Sequence, residues 1–172
     1  AESALDLPED SLRATIHPFI LRRTKAEVAR DLPEKIESDQ ICELTGEQAS
    51  LYAAVLKEVR AQVMSEVERQ GMAKSQIQIL AGLTRLRQAA CDPRLLGLPR
   101  DFSDEDSGKL IALRELIQTC IAGGHRVLVF SQFVSMLTII RAAMDEDEVG
   151  YEYLDGSTKD RQARVEAFQD ED

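Results

Sequence analysis

Apolar residues recur at helical spacing in the middle of the chain. An aliphatic side chain occupies every fourth position through one stretch, which predicts a helix from about residue 46 to 70 with one buried face. These side chains belong to Leu51, Val55, Val59, Val63 and Val67. Thr45 and Gln48 have the spacing of a capping box at its start, and Gly71 is typical of the residue that follows a helix.

A second apolar stripe follows and predicts a helix from about residue 75 to 90. Asp92 and Pro93 end it, because proline cannot continue a helix. The stripe consists of Ile79, Leu83, Leu86 and Ala90, widened by Ile77 and Leu80. The two stretches together predict an antiparallel helical hairpin whose apolar faces pack on each other.

The last third of the chain alternates between helical and strand-like patterns. Ser107 is a predicted helix cap, and further helices are expected over residues 133–144 and 158–169. Three segments are predicted to be strands, namely 35–44, 127–130 and 151–154. Helices and strands that alternate at these lengths predict an α/β fold with a parallel, three-layer sheet and right-handed crossovers.

Composition and charge narrow the class of protein. The chain has 172 residues, of which 44% are hydrophobic and 30% charged, as expected for one soluble globular domain. Its formal charge of -10 argues against indiscriminate nucleic-acid binding, although a local basic patch remains compatible with it. Three widely spaced cysteines and two histidines show no metal-binding spacing, so reduced thiols in a cytosolic protein are expected. No apolar run approaches membrane-spanning length.

Small polar residues follow two of the predicted strands. The carboxyl ends of parallel strands form the edge of a sheet where ligands bind, and free N–H groups at a helix start attract anions. Ser157 is the predicted N-cap of the last helix, with Asp160 at its third position. A phosphate-binding edge is therefore predicted at Ser131, Gln132, Gly156, Ser157, Thr158 and Arg161. Neither loop carries a nucleophile with a base, so catalysis is not indicated.

These loops also have ordinary interpretations. Asp155-Gly-Ser-Thr158 is a common turn and helix start, and most such turns bind nothing.

Ser107-Gly-Lys109 hints at a phosphate loop. Ser103, however, stands where that motif needs its first glycine, and Leu110 replaces the residue that binds magnesium. A helix cap is favoured there.

Positive charge concentrates at two places. Cations at a helix start oppose the helix dipole, which hints at an acidic or phosphate partner for Arg22, Arg23 and Lys25. The second group is interpreted as the polar face of the second hairpin helix, and it comprises Arg85, Arg87 and, beyond the helix, Arg94.

Seven segments, taken in order, resemble the Swi/Snf-type ATPases of the superfamily-two helicase-like motors. They are Pro18-Phe-Ile-Leu-Arg-Arg-Thr-Lys25, Asp31-Leu-Pro-Glu-Lys35, Leu44-Thr-Gly-Glu-Gln48 with Leu51-Tyr52, Leu83-Thr-Arg-Leu-Arg-Gln88 with Cys91-Asp-Pro93, Ser107-Gly-Lys-Leu110, Val127-Leu-Val-Phe-Ser-Gln-Phe133 and Leu154-Asp-Gly-Ser-Thr158. The Ala-Ala-Cys-Asp-Pro stretch at 89–93 is more similar to the bacterial branch than to the eukaryotic remodellers.

The resemblance implies a fragment that runs from the lobe junction into the second RecA-like lobe. Its parts would be a junction segment (1–33), a strand of the second lobe (34–45), a helical insertion (46–100) and the truncated lobe (101–172). The two polar loops would face the nucleic-acid backbone, and Arg22, Arg23 and Lys25 would lie near the lobe junction. The parent would use ATP and Mg²⁺, neither bound by this fragment alone, and would act on double-stranded DNA.

Further expectations concern partners. The first RecA-like lobe would be the partner within the parent, self-association of the fragment through an unpaired sheet edge is expected, and no membrane is involved. The expected location is the bacterial cytoplasm, at the nucleoid. The alternative is a non-enzymatic interaction module built on the helical hairpin.

Overall fold

The computed structural model describes residues 9–24, 28–29, 31 and 33–170, and the chain divides into two units, 1–40 and 41–172. In the first unit, helix α1 (Glu9–Ile16) is followed by a 3-10 turn, His17–Phe19, with a proline at its start. The predicted boundaries within a motor protein, at 1–33, 34–45, 46–100 and 101–172, stay predictions.

A helical hairpin opens the second unit, as predicted. Helix α2 spans Gly46–Gln70 and helix α3 spans Gln76–Cys91, with a short 3-10 turn, Met72–Lys74, between them. Thr45 Oγ1 accepts a hydrogen bond from the backbone N–H of Gln48 at 3.2 Å, and Gly71 ends α2 with φ of 81°. The start of α2 contacts the end of α3, since the Gln48 side chain donates to the Ala89 carbonyl at 3.0 Å. The two helices are therefore antiparallel.

The apolar stripes predicted for the two hairpin helices agree with the observed burial to different degrees. On α2, Val55 and Val59 are buried, in agreement with the predicted stripe. On α3 the predicted stripe is wrong in part, because Leu83 and Leu80 are 51% and 64% exposed and Ile77 is exposed as well. Ile79, Leu86 and Ala90 of the stripe are half-buried. The buried residues of α3 are instead Gly82 and Ala89. A side chain at Gly82 would lie 2.5 Å from Val59 Cγ1, so the glycine lets the helix backbones approach closely.

Three more helices complete the second unit: α4 (Gly108–Ala122), α5 (Val134–Glu146) and α6 (Arg161–Asp170). Short 3-10 turns at Pro93–Leu96 and Asp104–Asp106 precede α4. The buried core lies between α4 and α5 and consists of Leu110, Ile117, Met136, Ile140, Ala143 and Met144. Burial of this apolar surface is the main contribution that holds these helices together.

The predicted α/β fold is wrong for the part of the chain that is described. None of the predicted strands 35–44, 127–130 and 151–154 forms a ladder there, so no parallel sheet or RecA-like lobe is present among these residues. Segment 127–130 was expected to be buried on both faces. Instead Val127 and Val129 pack on the core, while Leu128 and Phe130 are 67% and 87% exposed. The continuous apolar run predicted a strand, but a strand also needs a neighbouring backbone to pair with.

Among the described residues, no helix is both long and apolar enough to span a membrane.

Candidate nucleic-acid interface

The loop before α6 is organised around the carboxylate of Asp155. This carboxylate accepts hydrogen bonds from the Ser157 hydroxyl at 2.6 Å, the Ser157 backbone N–H at 2.8 Å and the Tyr153 hydroxyl at 3.0 Å. The Ser157 side chain, then its backbone N–H, then Tyr153 lower the pKa of Asp155 to about 2. Asp155 is therefore a permanent negative charge inside the loop at neutral pH.

The start of α6 differs from the prediction. Asp160, and not Ser157, caps the helix, because its Oδ1 accepts from the Ala163 N–H at 3.1 Å and the helix begins at Arg161. The N–H groups of Ser157 and Thr158 donate to Asp155 rather than out of a helix start. The Ser157 N–H thus serves the Asp155 carboxylate and the Thr158 N–H serves the Asp155 backbone carbonyl, so both predicted donors are already used within the loop.

Thr158 and Arg161 reinforce the same loop. Thr158 Oγ1 accepts from the Asp155 N–H at 3.0 Å, and an Arg161 guanidinium nitrogen donates to the Asp155 carbonyl at 3.2 Å. Gly156 is exposed, lies outside the left-handed region and would meet nothing within 4 Å if it carried a Cβ. The turn therefore does not depend on a glycine. The roles of these residues toward a phosphate stay predictions.

The loop before α5 holds the other predicted pair. Ser131 Oγ accepts from the Phe133 N–H at 3.1 Å, which fixes the loop just before the helix. Gln132 Oε1 accepts a hydrogen bond from the guanidinium of Arg87, 45 positions earlier in the chain. No hydrogen bond or ion pair between described residues joins this loop to the loop at Asp155.

Arg87 is a site residue that the sequence did not reveal. It was interpreted as part of the polar face of α3, and its side chain is exposed there as expected. The sequence contains no local signal for its partner, because Gln132 lies 45 positions later, beyond α4. Its place within Leu83-Thr-Arg-Leu-Arg-Gln88, a segment that carries the family resemblance, was the only available hint.

The predicted lobe-junction cluster lies in the first unit. Arg22 and Arg23 are exposed in an irregular stretch after the first 3-10 turn, and Lys25 lies outside the described residues. The predicted role of these three side chains is therefore untested.

Three segments that carry the resemblance meet in a polar junction, which we define as Thr45, Gln48, Asp92, Ser107 and Gly108. Gln48 is fully buried, and its side-chain oxygen accepts from the Gly108 N–H at 3.2 Å. Thr45 Oγ1 donates to the Asp106 carbonyl at 3.2 Å. Ser107 caps α4 and donates to the Cys91 carbonyl at 3.2 Å. These motifs therefore fasten the hairpin to α4, and Gln48 does not complete a capping box.

An ion-pair network extends the polar junction toward α5. Arg94 binds the fully buried Asp92 through two guanidinium nitrogens, at 2.9 and 2.8 Å, and binds Asp104 at 2.7 Å. Asp104 also accepts from Arg114 at 2.9 Å, and Arg114 binds Asp147 just after α5. Hydrogen bonds from Arg94 to Asp92 first, and then to Asp104, raise the pKa of Arg94. Hydrogen bonding to Asp147 is the main cause that raises the pKa of Arg114.

The one segment with a phosphate-loop-like sequence does not fit a phosphate group. Ser107-Gly-Lys109 is the one phosphate-loop-like sequence noted above, but its serine hydroxyl and glycine N–H are used within the polar junction. A Cβ on Gly108 would lie 2.0 Å from the Glu43 carbonyl oxygen, so this backbone packs against protein and leaves no room for a phosphate group. The described part of the chain also contains no group of three metal-binding side chains.

Similarity to known proteins indicates the family of this chain. A family model described as the SNF2-related domain matches residues 6–95. Protein CHROMATIN REMODELING 8 from Arabidopsis thaliana is 35% identical over 167 residues, which cover 91% of this chain and 13% of that protein. The putative ATP-dependent helicase/translocase YwqA from Bacillus subtilis is 34% identical over 166 residues, which cover 92% of this chain and 18% of that protein.

A human relative agrees with these two. DNA excision repair protein ERCC-6 is 34% identical over 164 residues, which cover 86% of this chain and 10% of that protein. This sequence is therefore similar to helicase-like and remodelling proteins. The chain belongs to the SNF2-related domain family, and the predicted recognition is confirmed. It spans between 10% and 18% of these three relatives. The predicted bacterial branch stays open, since plant, bacterial and human relatives are about equally similar.

Proposed function

We propose that this chain is part of a DNA-dependent ATPase that moves along double-stranded DNA, and that it contributes contacts to the DNA backbone. The observation that carries this proposal is similarity over 86% to 92% of the chain to a DNA repair protein, a remodelling protein and a helicase/translocase. The proposed contacts are the two loops, at Ser131, Gln132, Gly156, Ser157, Thr158 and Arg161. Contacts of this kind position a protein on DNA without reading its sequence.

The distribution of charge supports a DNA contact that is limited to a small part of the surface. A chain with a formal charge of -10 repels DNA over most of its surface. Several arginines are neutralised by carboxylates, including Arg94, Arg114 and Arg164. Arg161 is held by a backbone carbonyl, which leaves its net charge in place. The Asp155 carboxylate works against an anion in the same loop, so outward-facing donors such as the Arg161 guanidinium would make the contact.

Replacing Thr158 and Arg161 together by alanine is expected to weaken binding of a mixed-sequence duplex about tenfold at low salt, because one charged phosphate contact is lost. The slope of log affinity against log salt should fall by about one. Fluorescence anisotropy with labelled duplex over a salt series measures both quantities.

Arg164→Ala is the matched control, since Arg164 is on the same helix but already pairs with Glu152 at 3.0 Å. It should change affinity less than about twofold, as expected for a neutralised surface charge. Equal losses in the control and the double variant would show only a general charge effect and would contradict the proposed contact.

ATP hydrolysis belongs, in this proposal, to the whole protein. The first RecA-like lobe, outside these 172 residues, would bind ATP and Mg²⁺. The whole protein would act in the cytoplasm at the nucleoid. The direct measurement is the rate of ATP hydrolysis by the protein that contains this chain, with and without duplex DNA. A rate that does not change when duplex DNA is added would contradict the assignment as a motor.

One observation favours the alternative, a protein-interaction module on the hairpin. Apolar side chains are exposed on both helices, with Leu56 and Met64 on α2 and Ile77, Leu80 and Leu83 on α3. The encoded reading frame separates the two functions. A phosphate-loop motif upstream and a glycine-rich motif downstream would support the motor, whereas their absence from the frame would support the module.

We also propose that copies of this chain associate through segment 127–130. No described residue forms a hydrogen bond with the backbone of these four residues, and the exposed Leu128 and Phe130 flank that unpaired backbone. An apolar segment with free backbone groups is a template for pairing with another chain.

Phe130→Ser is expected to weaken this self-association about tenfold, because a buried phenylalanine contributes about 1.5–3 kcal/mol. Sedimentation velocity over a concentration series measures it. Phe19→Ser is the matched control, since both phenylalanines are 87% exposed and Phe19 lies outside the segment. Sedimentation as a monomer at all concentrations, or an equal effect of both variants, would contradict the proposal.

A further inference from the structure

The bond between Arg87 and Gln132 joins the hairpin to a predicted DNA-facing loop. Arginine only donates hydrogen bonds, so Gln132 must turn its amide oxygen toward the guanidinium. The amide nitrogen then points away from Arg87 with two N–H donors, and no described residue accepts from it. Because Gln132 is exposed, those donors are available to an external acceptor.

Both ends of this bridge rest on anchored structure. Arg87 lies one turn before the end of α3, where Gln48 binds the Ala89 carbonyl and Ser107 binds the Cys91 carbonyl. Gln132 immediately precedes Phe133, which packs against the core at the start of α5. The two side chains therefore meet because tertiary packing fixes both backbones, which lowers the entropic cost of holding them together.

The charge of Arg87 is not cancelled by its partner. Arg94, Arg100 and Arg114 each bind a carboxylate. Arg87 binds a neutral amide and has no ion pair with any described carboxylate. A full positive charge thus lies beside two outward N–H donors, a combination that favours a phosphate oxygen.

We propose that Arg87 is a positioning residue for Gln132 and that the pair forms one phosphate-binding element of the DNA backbone contact. The proposal rests on the proposed function, since it assigns a role within the same loop. It also makes the hairpin part of the DNA contact, because α3 supplies the residue that orients the loop.

Duplex binding by the 172-residue chain tests the pair. Arg87→Ala and Gln132→Ala should each weaken binding about five- to tenfold, and Arg87→Ala should lower the salt slope by about one. The double variant should lose less than the product of the two single losses, because each residue acts through the other. Arg87→Lys should restore most of the affinity, since lysine keeps the charge and a donor.

Arg60→Ala is the matched control, because it removes the same charge from an exposed position of the same hairpin. It should change affinity less than about twofold. The side-chain amide resonances of Gln132 give a readout independent of DNA. They should move in Arg87→Ala and not in Arg60→Ala, while the melting temperature stays unchanged in both.

The outcomes separate the two proposals. If Gln132→Ala leaves duplex affinity unchanged, the loop at Ser131 and Gln132 does not contact DNA, and the role of Arg87 is overturned with it. The contact proposed at Thr158 and Arg161 has its own test. If Gln132→Ala weakens binding but Arg87→Ala behaves like Arg60→Ala, only the positioning role is overturned. Independent, multiplicative losses in the double variant would also overturn it.

Discussion

Replacing Gly108 by alanine is expected to lower the free energy of unfolding by about 3 kcal/mol, the upper range for overpacking a tight site. The new Cβ would lie 2.0 Å from the Glu43 carbonyl oxygen and 3.2 Å from its carbon. These are backbone atoms just before α2, so relief requires the chain to separate where Gln48 binds the Gly108 N–H. Urea unfolding followed by circular dichroism measures the loss.

Two other glycines are matched controls for Gly108→Ala. A Cβ at Gly46 or at Gly156 meets nothing within 4 Å, and neither residue has positive φ. Alanine at these positions should be neutral or stabilising by up to about 1 kcal/mol, because it restricts the unfolded chain. If Gly108→Ala were as stable as the controls, the close approach of α4 to Glu43 and Leu44 would be refuted.

Replacing Asp92 by alanine is expected to cost about 3–5 kcal/mol, because one partner of a buried ion pair is removed. Asp92 is fully buried, and it accepts from the Arg94 backbone N–H as well as from two guanidinium nitrogens. Its loss leaves the Arg94 charge without its main partner and removes the cap of the Pro93–Leu96 turn. The same urea titration measures the effect.

Glu47→Ala is the control for a pair of the same type at the surface. Glu47 and Arg100 are each more than half exposed, at 54% and 57% of their side chains. Its loss should cost less than about 1 kcal/mol. Similar losses in Asp92→Ala and Glu47→Ala would mean that the network around Arg94 contributes little to stability.

The helices were the most predictable part of the fold. Thr45 and Gly71 bound α2 as expected, and Ser107 caps α4. Boundaries of α3 and α5 also agree within one or two residues. These features depend on residues three or four positions apart, so the local sequence contains the information. The last helix was predicted to start at residue 158 and begins at Arg161, because Asp155 accepts the hydrogen bonds of the Ser157 and Thr158 N–H groups.

The candidate interface was predictable only in part. Ser131 and Gln132 were named from their place after an apolar segment, and membership of the family was predicted from seven motifs and confirmed. Arg87 was missed because its partner lies 45 positions away. Gln48 was assigned to a capping box, whereas burial directs its side chain to Ala89 and Gly108.

The sequence by itself determined the family, the helical hairpin and the N-caps of α2 and α4, because helix hydrogen bonds and caps connect near neighbours along the chain. Only the tertiary structure decided that the expected strands have no ladder among the described residues, since a strand needs a partner distant in sequence. It also decided the closeness of Gly108 to Glu43, the network through Arg94 and the bond from Arg87 to Gln132. Each of these contacts depends on which segments, distant in sequence, pack against each other. Hydrophobic periodicity does not specify that packing.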